Sequence, residues 1–328
     1  MNQRKASMRF VAPVATPKGF ARRVPPAIFP PILGLFGLGL AWRRAGVNLG
    51  VAEGIGEAIL GAATLLFLVA FGAYLAKFLR RPAVVMADLR LLPGRLGISA
   101  MIACLYLLAA ACSPHAPESA RLIVLAALGL HGLVIALILW GFVTGPKEQR
   151  RYSPAGHLYF VSPIIGAWVS AQAGFDYLAL GLLAVTLVIA VGIWAWGADR
   201  LWRNGMPAPL RPLLALHLAP AALAGLTAHY LGLQSFANVA AVIAAFVLGA
   251  LVIGGRWITT AGFSPFWAAF TFPLAATASL WILCGGSWQI AGMLALATAT
   301  VAIPLIAFRI LKLWVGGQLA VKTNAASA

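Results

Sequence analysis

Carboxylates are what this sequence has least of: seven acidic residues in 328, against 24 lysines and arginines. All seven, Glu53, Glu57, Asp88, Glu118, Glu148, Asp176 and Asp199, lie between the long apolar runs or at their edges. Proton- and sodium-coupled carriers usually place Asp or Glu inside the helix bundle, and none sits there. A magnesium-dependent transferase needs clustered carboxylates to hold its metal, yet no two Asp residues lie close together. Cation conduction is disfavoured on the same ground, because nothing negative offsets the cost of dehydrating the ion. Zinc-hydrolase spacing and a glycine-rich phosphate loop are also missing, so no enzyme class and no cofactor is indicated. Cysteine is scarce as well. Cys104, Cys112 and Cys284 show neither paired nor metal-ligand spacing and read as packing residues.

What the chain has instead is apolar length. It is 62% hydrophobic and 9% charged, with a mean hydropathy of +0.93, whereas soluble domains are about a quarter charged. A helix needs about 20 apolar residues to cross the hydrocarbon core. Ten candidate spans meet that need, at 26–42, 58–76, 96–112, 122–144, 156–173, 177–197, 212–231, 236–255, 263–283 and 288–308, and none contains Asp, Glu, Lys or Arg. The expected organisation is a basic cytoplasmic tail over 1–25, a ten-helix membrane domain over 26–312, and a cytoplasmic C-terminal tail over 313–328. The residues after Lys322 are short, polar and expected to be mobile. A cleaved signal peptide is not expected, since Pro30 and Pro31 interrupt the first apolar run and Ala41-Trp-Arg-Arg follows it.

A net charge of +17 could suggest nucleic acid, but a nucleic-acid binder gathers its basic residues on one folded face. Here they sit between spans. With the N-terminus inside, 21 of the 24 fall on the tails and even-numbered loops, leaving Arg43, Arg44 and Arg121 on the other side. That is the positive-inside distribution. It places both termini in the cytoplasm and makes the partner a lipid bilayer, expected to be the cell inner (plasma) membrane.

The spans are of two kinds. Even-numbered ones such as Ile59–Ala76 and Ile123–Val143 are regular and rich in Leu, Val and Ala. Four of the five odd-numbered ones carry proline: Pro30 and Pro31, Pro163, Pro220, and Pro273. Proline deletes a backbone donor and clashes with the carbonyl four residues earlier. Irregular backbone survives in a membrane where protein buries it or where it lines a wet cavity. The alternation therefore predicts five helical hairpins, with inner odd helices around a pathway and outer even helices facing lipid. The competing explanation is that proline is commoner in membrane helices generally.

Of the histidines, His217 stands three residues before Pro220 on an inner span and could offer an N–H to an anion or titrate near neutrality. The favoured reading is plainer, a neutral histidine bonded to a nearby carbonyl. His131, on an outer span, reads as structural. Trp42, Trp194, Trp196, Trp202, Trp257 and Trp288 lie near span ends, as an interfacial belt requires.

Four segments in span order carry a family likeness. They are Phe29-Pro-Pro-Ile-Leu-Gly-Leu-Phe-Gly-Leu-Gly-Leu-Ala-Trp42, Pro163-Ile-Ile-Gly-Ala-Trp-Val-Ser-Ala171, Arg211-Pro212 with Leu218-Ala-Pro-Ala-Ala-Leu-Ala-Gly225, and Ala269-Phe-Thr-Phe-Pro-Leu274. In these the chain resembles the tellurite-resistance/dicarboxylate transporter family, which includes bacterial tellurite-resistance channels and the slow anion channels of plant guard cells. Two departures stand out: Leu96–Cys112 has no internal proline, although Pro93-Gly-Arg95 precedes it, and Ile32 occupies a position where the family often has proline.

The resemblance implies an all-α membrane protein of ten helices in five hairpins, quasi-fivefold about a central pore, assembled as a homotrimer with a pore in each protomer. It implies that Phe272 plugs the pore and that Gly34, Pro163, Gly166, Pro220 and Pro273 shape or line it. Without it, Phe272 would read as a packing residue beside a kink. The function this implies is passive permeation of small inorganic or organic anions. The alternative is a proton-coupled carrier exporting tellurite or C4-dicarboxylates, with His217 as its proton site.

Overall fold

The computed structural model of the chain describes residues 22–150 and 153–328. Most of the basic tail expected over 1–25 therefore lies outside the described residues. In chain order the helices are α1 (Phe29–Leu49), α2 (Glu53–Arg80), α3 (Val84–Leu89), α4 (Leu92–Cys112), α5 (Pro117–Thr144), α6 (Pro163–Gln172), α7 (Asp176–Asn204), α8 (Leu218–Tyr230), α9 (Gln234–Ile253), α10 (Gly255–Ile258), α11 (Thr271–Cys284), α12 (Gln289–Val315) and α13 (Gln318–Lys322).

Nine helices among the described residues are long and apolar enough to cross a membrane. The expected fifth span is divided into a π-helical turn, His157–Val161, and the 10-residue α6. Proline accounts for this and for similar breaks elsewhere. Pro163 opens α6, Pro220 and Pro273 stand third in α8 and α11, and Pro30 and Pro31 lie in the first turn of α1. A first turn has no intrahelical partner for its N–H groups, so proline is tolerated there. The chain ahead of each proline is wound differently, as 3-10 helix over Pro26–Ile28, Ala208–His217 and Pro265–Phe270. The third span follows the same rule. Its helix begins at Leu92, four residues before the apolar run, and takes Pro93 into its first turn. The alternation is not strict, because the outer helix α12 holds Pro304 in its interior.

Packing separates two layers. α1 packs on α4, α4 on α6, α6 on α8, α8 on α11, and α11 back on α1, which closes a ring of five. α2, α5, α7, α9 and α12 each pack on the ring helix before them in sequence. Of the most apolar 18 residues, 72–78% are buried in the first, third, seventh and ninth spans, against 22–39% in the long outer helices. Leu65, Val69, Leu122, Val188, Phe246 and Phe308 on the outer layer are 64–76% exposed. An apolar periphery of this extent belongs in lipid, since soluble monomers rarely expose apolar patches beyond a few hundred Å².

The C-terminal residues differ from expectation. Thr323–Ala328 is not a loose tail but folds back onto the start of the chain. Ala326 N–H donates to Asp88 Oδ1 (2.9 Å), Arg81 Nη1 to the Ser327 carbonyl (2.8 Å), and Ala328 N–H to the Arg22 carbonyl (2.9 Å). Asp88 is itself held by the buried Lys77, Nζ to Oδ2, at 2.7 Å. A buried carboxylate with free lone pairs is what recruits the backbone of an otherwise featureless Ala-Ser segment.

Candidate functional site

Inside the ring lies a cavity whose unfilled space, open solvent included, is about 750 Å³, lined by residues from all five ring elements. Each element contributes its N-terminal part. The deepest lining positions are Leu33, Leu96, Ile165, Leu223 and Pro273, while the helices run on to Leu49, Cys112, Gln172, Tyr230 and Cys284. The lining residues thus come from the N-terminal parts of the ring helices and the segments that precede them. His157 and Ser162 supply the only polar side chains among its lining residues, and no charged group lines it.

Phe272 is among the residues around the cavity. Its side chain lines the cavity, and the residue is 5% exposed. The backbone prepares this position: the 3-10 segment Pro265–Phe270 gives way to α-helix at Thr271, whose Oγ1 donates to the Ala268 carbonyl (2.7 Å). The ring is directed toward α1. A Cβ added to Gly37 would lie 2.9 Å from Phe272 Cδ2, so glycine at 37 is what gives the phenyl its room. One turn earlier, a Cβ on Gly34 would lie 2.3 Å from Thr271 Oγ1.

The residues singled out from sequence divide accordingly. Phe272, Pro220 and Pro273 line the cavity. Gly34 packs on Thr271, and Gly166 packs against Leu128 of α5 and Tyr106 of α4, both away from the cavity lining. Pro163 is likewise not a lining residue; its neighbours Ser162 and Ile164 are. His217 stands behind the wall: its Nδ1 is 2.8 Å from Nε2 of His157, and it is His157 that lines the cavity. One of the two facing nitrogens must carry the proton and the other accept it. The His217 carbonyl accepts from Trp194 Nε1 of α7 (3.2 Å).

Ser162, at the joint between the π turn and α6, was not anticipated. Its Oγ donates to the Leu158 carbonyl and lies 3.3 Å from His131 Nε2, whose Nδ1 is 3.2 Å from Tyr106 Oη. His131 thereby pins outer helix α5 to two ring elements, the structural role expected of it. The signal for Ser162 was its place before Pro163, since a hydroxyl ahead of proline can satisfy carbonyls freed by the changed winding.

Among the described residues, no group of three or more His, Cys, Asp or Glu could hold a metal ion. A comparison with individually curated proteins finds no match. The pattern of the voltage-dependent anion channel family, SLAC1, matches residues 23–313. That is nearly the whole chain and includes all five ring elements. The protein therefore belongs to the SLAC1 family, the tellurite-resistance/dicarboxylate transporter family indicated by its motifs, and is a multi-pass membrane protein of a group of anion channels and transporters rather than enzymes.

Proposed function

We propose that the protein is a passive anion channel whose pathway follows the axis of the five-helix ring and is gated by Phe272. In this reading His157–Gln172 completes a tenth crossing, the five hairpins are arranged quasi-fivefold about the pore, and both termini face the cytoplasm of the inner membrane. The homotrimer is part of the same proposal and rests on the family likeness. The observation that carries the reading is a cavity drawn from every ring element, free of carboxylates, with Phe272 among its lining residues. A pathway with few strong sites suits conduction, which requires binding weak enough to release the ion. Basic loops at the cavity mouth concentrate anions there.

The test is Phe272→Ala in liposomes loaded with chloride, nitrate, tellurite or succinate. A plug predicts a marked rise in anion flux with the fold retained. A packing residue predicts a loss of about 3–5 kcal/mol of stability, as for buried Phe truncations in soluble cores, and no gain in flux. Phe270, half-buried and packed edge-on against Trp267 at 5.8 Å, is the control. Equal effects at both positions would remove the gate. One observation favours the coupled-carrier alternative, the His157–His217 pair in the cavity wall. A carrier's flux would respond to an imposed pH gradient, whereas a channel's would follow the anion gradient alone.

A further inference from the structure

Arg44 is buried, 8% exposed, although it lies near the end of a helix from which a long side chain could reach water. Its neighbour Arg43 does reach outward, to Glu57 (2.5 and 2.8 Å) and the carbonyls of Ala110 and Ala111. Arg44 turns the other way. Its guanidinium carbon lies 5.8 Å from the Trp168 ring of α6 and 5.4 Å from the Tyr230 ring of α8, and Nη1 donates to Tyr230 Oη at 2.9 Å. Neither α6 nor α8 neighbours α1 in the ring, whose contacts on either side are α4 and α11. Arg44 therefore reaches across the ring interior.

The register agrees. Positions seven apart share a helix face, because seven residues make nearly two turns. Pro30 lines the cavity, Gly37 faces Phe272, and Arg44 follows at the same spacing. Tyr230 stands seven beyond Leu223, and Trp168 three beyond Ile165, both continuing cavity-lining faces. Arg44 is thus on the axis about 10 Å past the phenyl, at 1.5 Å per residue. Tyr230, the last residue of α8, is 37% exposed.

This charge is left incomplete. Among the described residues Arg44 has no ion-pair partner. Glu57, Asp88, Glu118 and Asp199 are all engaged with other cations. Arg44 Nε and Trp168 Nε1 are buried donors without a hydrogen-bond partner. Buried donors and buried charges are costly unless paired, and the cation–π contacts offset only part of that cost. A partner for these donors must be an acceptor, and a negative one would also offset the buried charge.

We propose that Arg44, with the Trp168 indole N–H, binds a small monovalent inorganic anion at the C-terminal end of the ring and sets the pathway's preference for anions over cations. The role in selectivity rests on the channel reading; the binding does not. The full chain in detergent is melted in chloride and in gluconate at constant ionic strength, as wild type, Arg44→Lys, Arg44→Gln and Trp168→Phe. Chloride should raise the Tm of the wild type and Arg44→Lys. The chloride concentration for half effect should rise about tenfold or more in Arg44→Gln, the loss of one charge-assisted hydrogen bond. It should rise severalfold in Trp168→Phe, which keeps the ring and removes the donor. Absence of a chloride shift in the wild type, or an unchanged shift in Arg44→Gln, overturns the site. Should Arg44→Gln fail to fold, Trp168→Phe decides in the same way. Reversal potentials under a KCl gradient are then read in the Phe272→Ala background. Arg44→Gln should lower the anion-to-cation permeability ratio about tenfold, and an unchanged ratio removes the selectivity role. Absence of any current in Phe272→Ala would count against the channel and its selectivity filter, while the melting data would still judge the binding site.

Discussion

Asp88→Ala should be among the most damaging single substitutions outside the ring. The carboxylate is 1% exposed and accepts three hydrogen bonds, from Lys77 Nζ (2.7 Å), Tyr74 Oη (3.0 Å) and Ala326 N–H (2.9 Å). Lys77, fully buried, keeps among the described residues only the Val24 carbonyl (2.9 Å) and a cation–π contact with Tyr74 at 5.1 Å once that carboxylate is gone. Breaking a buried ion pair from one side costs about 3–5 kcal/mol, because the remaining charge is stranded. Removing both charges should cost less than the sum of the single losses. Lys77→Met with Asp88→Ala is therefore expected to recover at least about 2 kcal/mol relative to additivity, within the range seen for residues in contact. Asp88→Asn keeps one acceptor oxygen and should fall between. Denaturant or thermal melts of the four proteins in one detergent give the cycle. Carboxypeptidase digestion reports the tail separately: loss of the Ala326 bond should make Thr323–Ala328 cleavable. Additivity within about 0.5 kcal/mol, with a tail as protected as in the wild type, would refute the idea that this pair fastens the C-terminus.

Two further outcomes follow from the geometry. Gly37→Ala places a methyl 2.9 Å from Phe272 Cδ2 and 3.2 Å from the Ala275 methyl, so it should cost about 1–3 kcal/mol as an overpacked site. Most of that loss should vanish in a Phe272→Ala background, and equal Tm losses in both backgrounds would mean the ring is not what Gly37 accommodates. A reporter fused after Ala328 should be active only as a cytoplasmic marker, because the basic loops retain that side; periplasmic activity would overturn the proposed orientation.

The layered architecture was legible because lipid imposes it. Backbone groups must pair within helices, so apolar length marks a span and proline marks a place where winding changes. That logic located the ring helices, and Pro93 would have brought the third span under the same rule. The facing of individual side chains was less legible, and the reason is local winding. A 10-residue 3-10 segment precedes α8 and a π turn precedes α6, so a phase of 100° per residue carried through either segment drifts. His217 was singled out where His157 lines the cavity, and Gly34 and Gly166 where Leu33 and Ile165 do. Position 217 stands one hydrogen bond from the wall.

The pair Arg43 and Arg44 shows the same limit in its sharpest form. By sequence they are one basic doublet in one loop, and the positive-inside count treats them alike. On a helix, successive residues point about 100° apart, and here that rotation separates two functions. Arg43 is turned to Glu57 and the ends of α1 and α4, where it stitches three helices together. Arg44 is turned to the ring interior, where the scarcity of acids that first marked this sequence leaves it without an ion-pair partner among the described residues. A chain with seven carboxylates, four of them committed to other cations, has little with which to neutralise an arginine on its own axis. The lack of acid and the buried base are therefore one feature, and together they favour an anion along the axis of the ring.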